Sequence, residues 1–302
     1  MIEIESVHVQ LGSIKIYNQK IEKKLGFKKN QIIKKTGIIK RYIGNDFENT
    51  ETLAIKAVKK MIRKNKAKNL SHIISVTNTP TILFPSLSHI IHSELKMPSE
   101  INCIGVNAGC TGFLDALFLA YKLIKKNKKI LIVTSDTYSK FINSKDRSTI
   151  PLFSDGASAT LIKYSKKGLV LKKSRFSTTN KTIEDLCCKL NGSKKFEIKM
   201  NGPNVLSFAI SEVLPVIKEI LNNDKKTILF CHQAGKIVID EIKNNLNENI
   251  IVPQNYSMYG NLVSTSIPNL INKNWENFKK RKIILFSGFG VGLSQTHLLF
   301  SR

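Results

Sequence analysis

Long apolar runs are missing from this sequence. Its hydrophobic residues, 42% of 302, fall in short stretches broken by polar ones, none near the roughly 18 to 20 residues that span a bilayer. That excludes a membrane span and predicts a soluble chain. The opening residues Met1-Ile2-Glu3-Ile4-Glu5 carry no basic stretch, apolar core or small-residue cleavage site, so no export signal is read and a cytoplasmic protein is expected. Paired cysteines are missing too: Cys103, Cys110, Cys187, Cys188 and Cys231 form no CxxC pair and no metal-ligand spacing, and an odd number cannot all pair within one chain. Reduced thiols and no metal site are expected, each cysteine being either a small buried hydrophobe or a nucleophile. Arginine is scarce, with only six among 48 basic residues. Bidentate reading of phosphates and bases favours arginine, so the net charge of +26 is read as a lysine-rich solvated surface and no nucleic-acid partner is expected. Such a surface still attracts an acidic partner by steering.

What is present alternates. Strand-length apolar segments at 73–76, 103–106 and 130–134 are interleaved with helical patterns at 86–95 and 110–126, which predicts an α/β fold around a buried sheet. The second half repeats the order, with strands at 227–231 and 282–286 and helices at 236–246 and 262–271. Segment 68–76 matches 223–231 in residue type, and 128–135 matches 281–288, so two copies of one α/β unit are expected. Only the lysine-rich turn Tyr164-Ser165-Lys166-Lys167-Gly168 joins them. The halves are therefore placed at 1–165, with the candidate nucleophile, and 166–302, sharing one core. Lys189 to Met200 is polar and weakly patterned, and reads as a loop or short hairpin.

Four places carry chemistry. Asn107-Ala108-Gly109-Cys110-Thr111-Gly112-Phe113 sets a cysteine between glycines, after a strand and before an apolar helix. Glycines allow a tight bend there, and a helix N-terminus at the sulfur lowers a thiol pKa toward the thiolate. The same cysteine could simply fill a strand-to-helix corner. His232 ends a strand, where side chains project from the carboxyl edge of a sheet; a structural histidine is the plain alternative. Asn261 sits on a glycine turn before a helix, where it could also be a cap. Gly288-Phe289-Gly290-Val291-Gly292 follows the last strand and can bring backbone N–H groups to a developing oxyanion; singly it is a turn.

In this order the four places resemble the β-ketoacyl-[acyl-carrier-protein] synthase III family of the thiolase superfamily. Thr36-Gly37-Ile38, Arg41-Tyr42-Ile43, Phe84-Pro85-Ser86, Asp146-Arg147-Ser148-Thr149 and Phe153-Ser154-Asp155-Gly156-Ala157 extend the likeness over nearly the whole chain. The resemblance implies a thiolase-like fold of duplicated βαβαβ halves in a five-layer αβαβα arrangement, working as a homodimer. It implies an acyltransferase whose Cys110 takes an acyl group from acyl-CoA or acyl-carrier protein, which are substrates, no cofactor being expected. His232 and Asn261 would then promote decarboxylative Claisen condensation with malonyl-carrier protein, which starts fatty-acid synthesis. The backbone N–H groups of Cys110 and Val291 would form the oxyanion hole, and Phe84 would close the partner's acyl pocket. Arg147, Lys35 and Lys236 fall at substrate-binding positions. The chain departs from the pattern at Gln31, where the family stacks an aromatic residue on adenine, at Gly235, and at Ile237, where an arginine docks the carrier. Those departures imply an alternative, acyl transfer to a sugar, amine or secondary metabolite in surface polysaccharide or specialised metabolism.

Overall fold

The structure, a computed structural model, describes residues 1–65, 68–180, 183–221 and 227–302; the part of the repeat match at 223–226 lies outside them. Its strands are β1 (Ile2–Leu11), β2 (Ile14–Tyr17), β3 (Lys40–Ile43), β4 (Leu70–Val76), β5 (Asn102–Val106), β6 (Lys129–Asp136), β7 (Gly156–Tyr164), β8 (Val170–Thr178), β9 (Leu186–Leu190), β10 (Phe196–Met200), β11 (Thr227–Cys231), β12 (Ile283–Gly290) and β13 (Ser294–Ser301). One main sheet runs β1-β7-β6-β4-β5 and the other β11-β12-β13-β8. In the first, β4 is parallel to β5 and β6, while β7 is antiparallel to β6 and to β1. In the second, β11 is parallel to β12, while β13 is antiparallel to β12 and to β8. Strands β4-β6-β7-β1 are thus repeated in order and sense by β11-β12-β13-β8, which is the duplication the two matched segments imply. The polar stretch around Lys189 to Met200 is a hairpin, β9 paired antiparallel with β10.

Side-chain alternation sorts the core into layers, because successive strand residues face opposite sides. Ile74 and Val76 of β4, Ile130 and Ile132 of β6, Phe230 of β11 and Phe286 of β12 face a central layer with Phe113, Leu114 and Leu117 of helix Gly112–Leu123 and Ile267, Leu270 and Ile271 of helix Ser266–Lys273. Ile73, Leu131 and Val133 face the other way, onto Leu53, Val58 and Met61 of helix Thr50–Asn65. Leu229, Cys231 and Leu285 face Ile217 of helix Leu214–Leu221 and Ile239 and Ile242 of helix Lys236–Asn244. The result is helix, sheet, helices, sheet, helix. Helix Gly112–Leu123 is apolar nearly all round because sheets cover both its sides. Strands β6, β11 and β12 read as unbroken apolar runs for the same reason, being buried on both faces. Among the described residues no helix is long and apolar enough to cross a membrane.

This layering places three strand ends together. The chain leaving β5 turns through Cys110 into the central helix, His232 directly follows the end of β11, and Val291 directly follows the end of β12. The tight bend that the glycines allow at Cys110 uses no left-handed backbone: neither Gly109 nor Gly112 has a positive φ. Gly112 is glycine because a Cβ there would collide with Val76 of β4. Close packing of the central helix on the first sheet, rather than backbone strain, accounts for it.

Candidate active site

Cys110, His232, Asn261 and the Val291 loop line one cavity of about 650 Å³, and Lys35, Arg147 and Lys236 line the same cavity. Phe84 does not; it lies outside the cavity and is 85% exposed. Cys110 is buried, and the glycine loop explains how Val291 comes so near it. Gly290 has φ +150, and a Cβ on it would stand 2.8 Å from Cys110 Sγ; a Cβ on Gly288 would stand 2.9 Å from the Cys110 carbonyl oxygen. The loop is glycine-rich so that the end of β12 can press onto the nucleophile turn, which brings the Val291 N–H to the sulfur.

The electrostatics depart from what a helix start suggests. Burial pushes the Cys110 thiol up to about 12, and the buried Asp136 carboxylate adds to the rise, while the Val291 N–H works the other way. Removal from water outweighs the donors. His232 is lowered to about 3 by the same burial, so thiol and imidazole both stand neutral at physiological pH. The main-chain N–H of His232 donates to Ser287 O at 2.8 Å, and the imidazole makes an edge contact with the Phe289 ring at 5.6 Å. Its buried Nδ1 has no hydrogen-bond partner among the described residues.

Asn261 is a wall of the cavity. Its Oδ1 accepts from the Val263 N–H at 2.9 Å, a local turn bond rather than the expected helix cap, the cap position falling at Leu262, and that bond leaves the NH2 end of the amide for a ligand. Its backbone is clamped by Asn261 N to Leu152 O at 2.9 Å and Ser154 N to Asn261 O at 2.8 Å. Asp136 secures the next turn: its carboxylate accepts from the Ser264 hydroxyl and, at 2.9 Å, from the Asn78 N–H. Burial raises Asp136 to about 6.

The cavity mouth is basic. Lys35 and Arg147 are exposed there, as is Lys236, which is paired with Asp240. Arg147 stacks over the Phe27 ring at 4.4 Å and donates from Nη2 to Gly26 O at 3.1 Å. Sequence reading looked for an aromatic at Gln31 and passed over Phe27, four residues earlier; Gln31 Oε1 instead accepts from the Lys28 N–H. An aromatic beside Gly26 in a lysine-rich segment was the available signal. Ile237, where a basic residue was sought, also lines the cavity and is 52% exposed. Tyr138 and Phe153 line the cavity as well, and Tyr138 was not singled out.

The comparisons with known proteins agree with one another. The family described as 3-oxoacyl-[acyl-carrier-protein (ACP)] synthase III matches residues 104–179, and its C-terminal part matches residues 218–301. The β-ketoacyl-[acyl-carrier-protein] synthase III 2 of Staphylococcus epidermidis is 32% identical over 302 residues, spanning 93% of this chain and 92% of that protein. The β-ketoacyl-[acyl-carrier-protein] synthase III of Clostridium novyi is 31% identical over 324 residues, spanning 97% and 96%. Among solved structures, the 3-oxoacyl-[acyl-carrier-protein] synthase III of Aquifex aeolicus VF5 superposes with a TM-score of 0.87 at 26% identity, over 100% of each chain.

Proposed function

The chain belongs to the 3-oxoacyl-[acyl-carrier-protein] synthase III family, and from that premise we propose that it joins a Cys110-bound acyl group to malonyl-carrier protein with loss of CO2, the condensation that starts a fatty-acid chain. The observation that carries this is the convergence of Cys110, His232, Asn261 and the Val291 loop on one cavity. Cys110 Sγ bonds to the thioester carbonyl carbon, and the donor thiol leaves with the proton. The backbone N–H groups of Cys110 and Val291 take the charge on the carbonyl oxygen. The malonyl group then loses its carboxylate, and the electron pair of that bond passes to the α-carbon and thioester oxygen, where His232 and the Asn261 NH2 donate. The carbanion attacks the acyl carbon, and the Cys110 sulfur leaves. The Phe27–Arg147 stack and the lysines of the mouth offer a surface for the anionic end of a CoA or carrier donor.

Wild-type protein given acetyl-CoA and malonyl-carrier protein should release CO2 and form 3-oxoacyl-carrier protein. Acyl transfer to a hydroxyl or amine with no CO2 would favour the alternative reading instead.

The homodimer belongs to the same proposal. Strand β5 is a sheet edge, an unpaired row of backbone groups that proteins normally cover. Ile82, Leu83 and Phe84 form an exposed apolar loop, 45%, 72% and 85% exposed, of the kind that marks an interface. In this arrangement Phe84 reaches the partner's cavity, and Phe84→Ala should widen the range of acyl lengths loaded onto Cys110. A fully active monomer in sedimentation would remove the basis for this arrangement.

A further inference from the structure

Next to the nucleophile stands a row of uncharged polar groups that the condensation does not use. Tyr138 lines the cavity with Cys110. It is only 4% exposed, and its ring lies against Phe153 at 4.9 Å. Its hydroxyl donates to Asn78 Oδ1 at 3.5 Å, long for an O–H···O bond. Asn78 in turn donates from Nδ2 to Asn107 Oδ1, and its Oδ1 lies 2.6 Å from where a Cβ on Gly109 would stand. The Asn78 amide therefore lies against the residue that precedes Cys110. Its backbone is fixed by Asp136, which accepts the Asn78 N–H at 2.9 Å.

Of these three groups Tyr138 lines the cavity, with the two amides behind it along the Cys110 turn, while Leu186, Met200, Val205 and Phe208 make other parts of the lining apolar. A hydrocarbon chain laid against Tyr138 would strip water from its hydroxyl and return no hydrogen bond. An acyl group with an oxygen there returns one. Burial holds the Tyr138 phenol well above its ordinary value, so it stays a neutral donor. The buried Asp136 carboxylate close by disfavours a second negative charge, so a carboxylate-bearing acyl group does not suit the row.

We propose that Tyr138, backed by Asn78, makes the acyl site selective for a short acyl group carrying an uncharged oxygen, a hydroxyl or a keto group, over the plain hydrocarbon chain of the same length. The proposal rests on the reading that Cys110 is acylated, and names the class of acyl group.

The test is competition for Cys110. Wild-type protein is mixed with equal concentrations of butyryl-CoA, 3-hydroxybutyryl-CoA and acetoacetyl-CoA, and the adducts are resolved by mass spectrometry of the intact protein. An oxygenated adduct should exceed the butyryl adduct about tenfold, the equivalent of one hydrogen bond, and the more abundant of the two identifies hydroxyl or keto. Tyr138→Phe should bring the ratio near one. A wild-type ratio of one or less overturns the proposal whatever the variant does, and so does a ratio that survives in Tyr138→Phe. Equal loading accompanied by CO2 release from malonyl-carrier protein would sink the selectivity alone; no loading of Cys110 by any of the three would sink the acyl-enzyme reading with it.

Discussion

Replacing Cys110 with alanine should reduce acyl adducts on the protein to background, whatever thioester is offered. Of the five cysteines only Cys110 lines the cavity. Cys231 faces the outer helical layer, buried, with its thiol pushed up to about 12. Cys103 lies on the edge strand β5, and Cys187 and Cys188 lie on the β9 hairpin strand. Loading of wild-type protein should also rise about tenfold per pH unit between pH 7 and 9. The reactive form is the thiolate, and a thiol near 12 is almost wholly protonated there, so each unit of pH multiplies the thiolate fraction by ten and each unit downward divides it. Mass spectrometry of timed samples measures both effects. Adducts that persist at Cys187 or Cys188 in Cys110→Ala would move the nucleophile elsewhere. A pH profile already flat at 7 would show that a bound thioester, by changing what surrounds the sulfur, lowers the thiol far below its value in the empty cavity.

The layered fold was legible because it rests on local rules. Strand alternation separates Ile73 from Ile74 and Leu229 from Phe230, and burial on both faces makes β6 and β12 apolar runs. Cys110, His232 and Asn261 were legible as candidates because each sits at the end of a strand or on a glycine turn, where the sequence itself marks a change of element. The remainder depended on contacts that sequence spacing does not encode. Gly290 reads as a loop glycine, yet its role is to give room to a sulfur 180 positions away. Phe27 meets Arg147 and Tyr138 meets Asn78 across several intervening strands and helices, and nothing local distinguishes Tyr138 from an ordinary core residue. The thiol pKa was misjudged for a related reason: a helix start is visible in sequence, but the burial that outweighs it is set by β12 folding over the turn.

His232→Ala and Asn261→Ala should separate the two halves of the reaction. His232 is neutral at working pH because burial holds it near 3, so it enters the chemistry as a hydrogen-bond donor rather than as a cation. Asn261 offers the NH2 end that its turn bond to Val263 leaves over. Both donors matter most when charge develops on the malonyl thioester oxygen, and removing one preorganised donor costs on the order of 100 to 1,000-fold in rate. In the proposed mechanism acylation draws on a different pair, the backbone N–H groups of Cys110 and Val291, which neither substitution removes. Each variant should therefore still carry an acyl group on Cys110 after incubation with acyl-CoA, while CO2 release from malonyl-carrier protein falls by two to three orders of magnitude, about 3 to 4 kcal/mol of transition-state stabilisation. Paired measurement of adduct and CO2 on the same samples decides it. Should acylation fall in His232→Ala as steeply as decarboxylation, the imidazole is the base that takes the thiol proton, and the neutral pair in the empty cavity becomes an ion pair once substrate is bound. Should wild-type protein load Cys110 and pass the group to an amine or hydroxyl without CO2, His232 is instead the base for that acceptor, and Asn261→Ala should then leave transfer much less affected than His232→Ala.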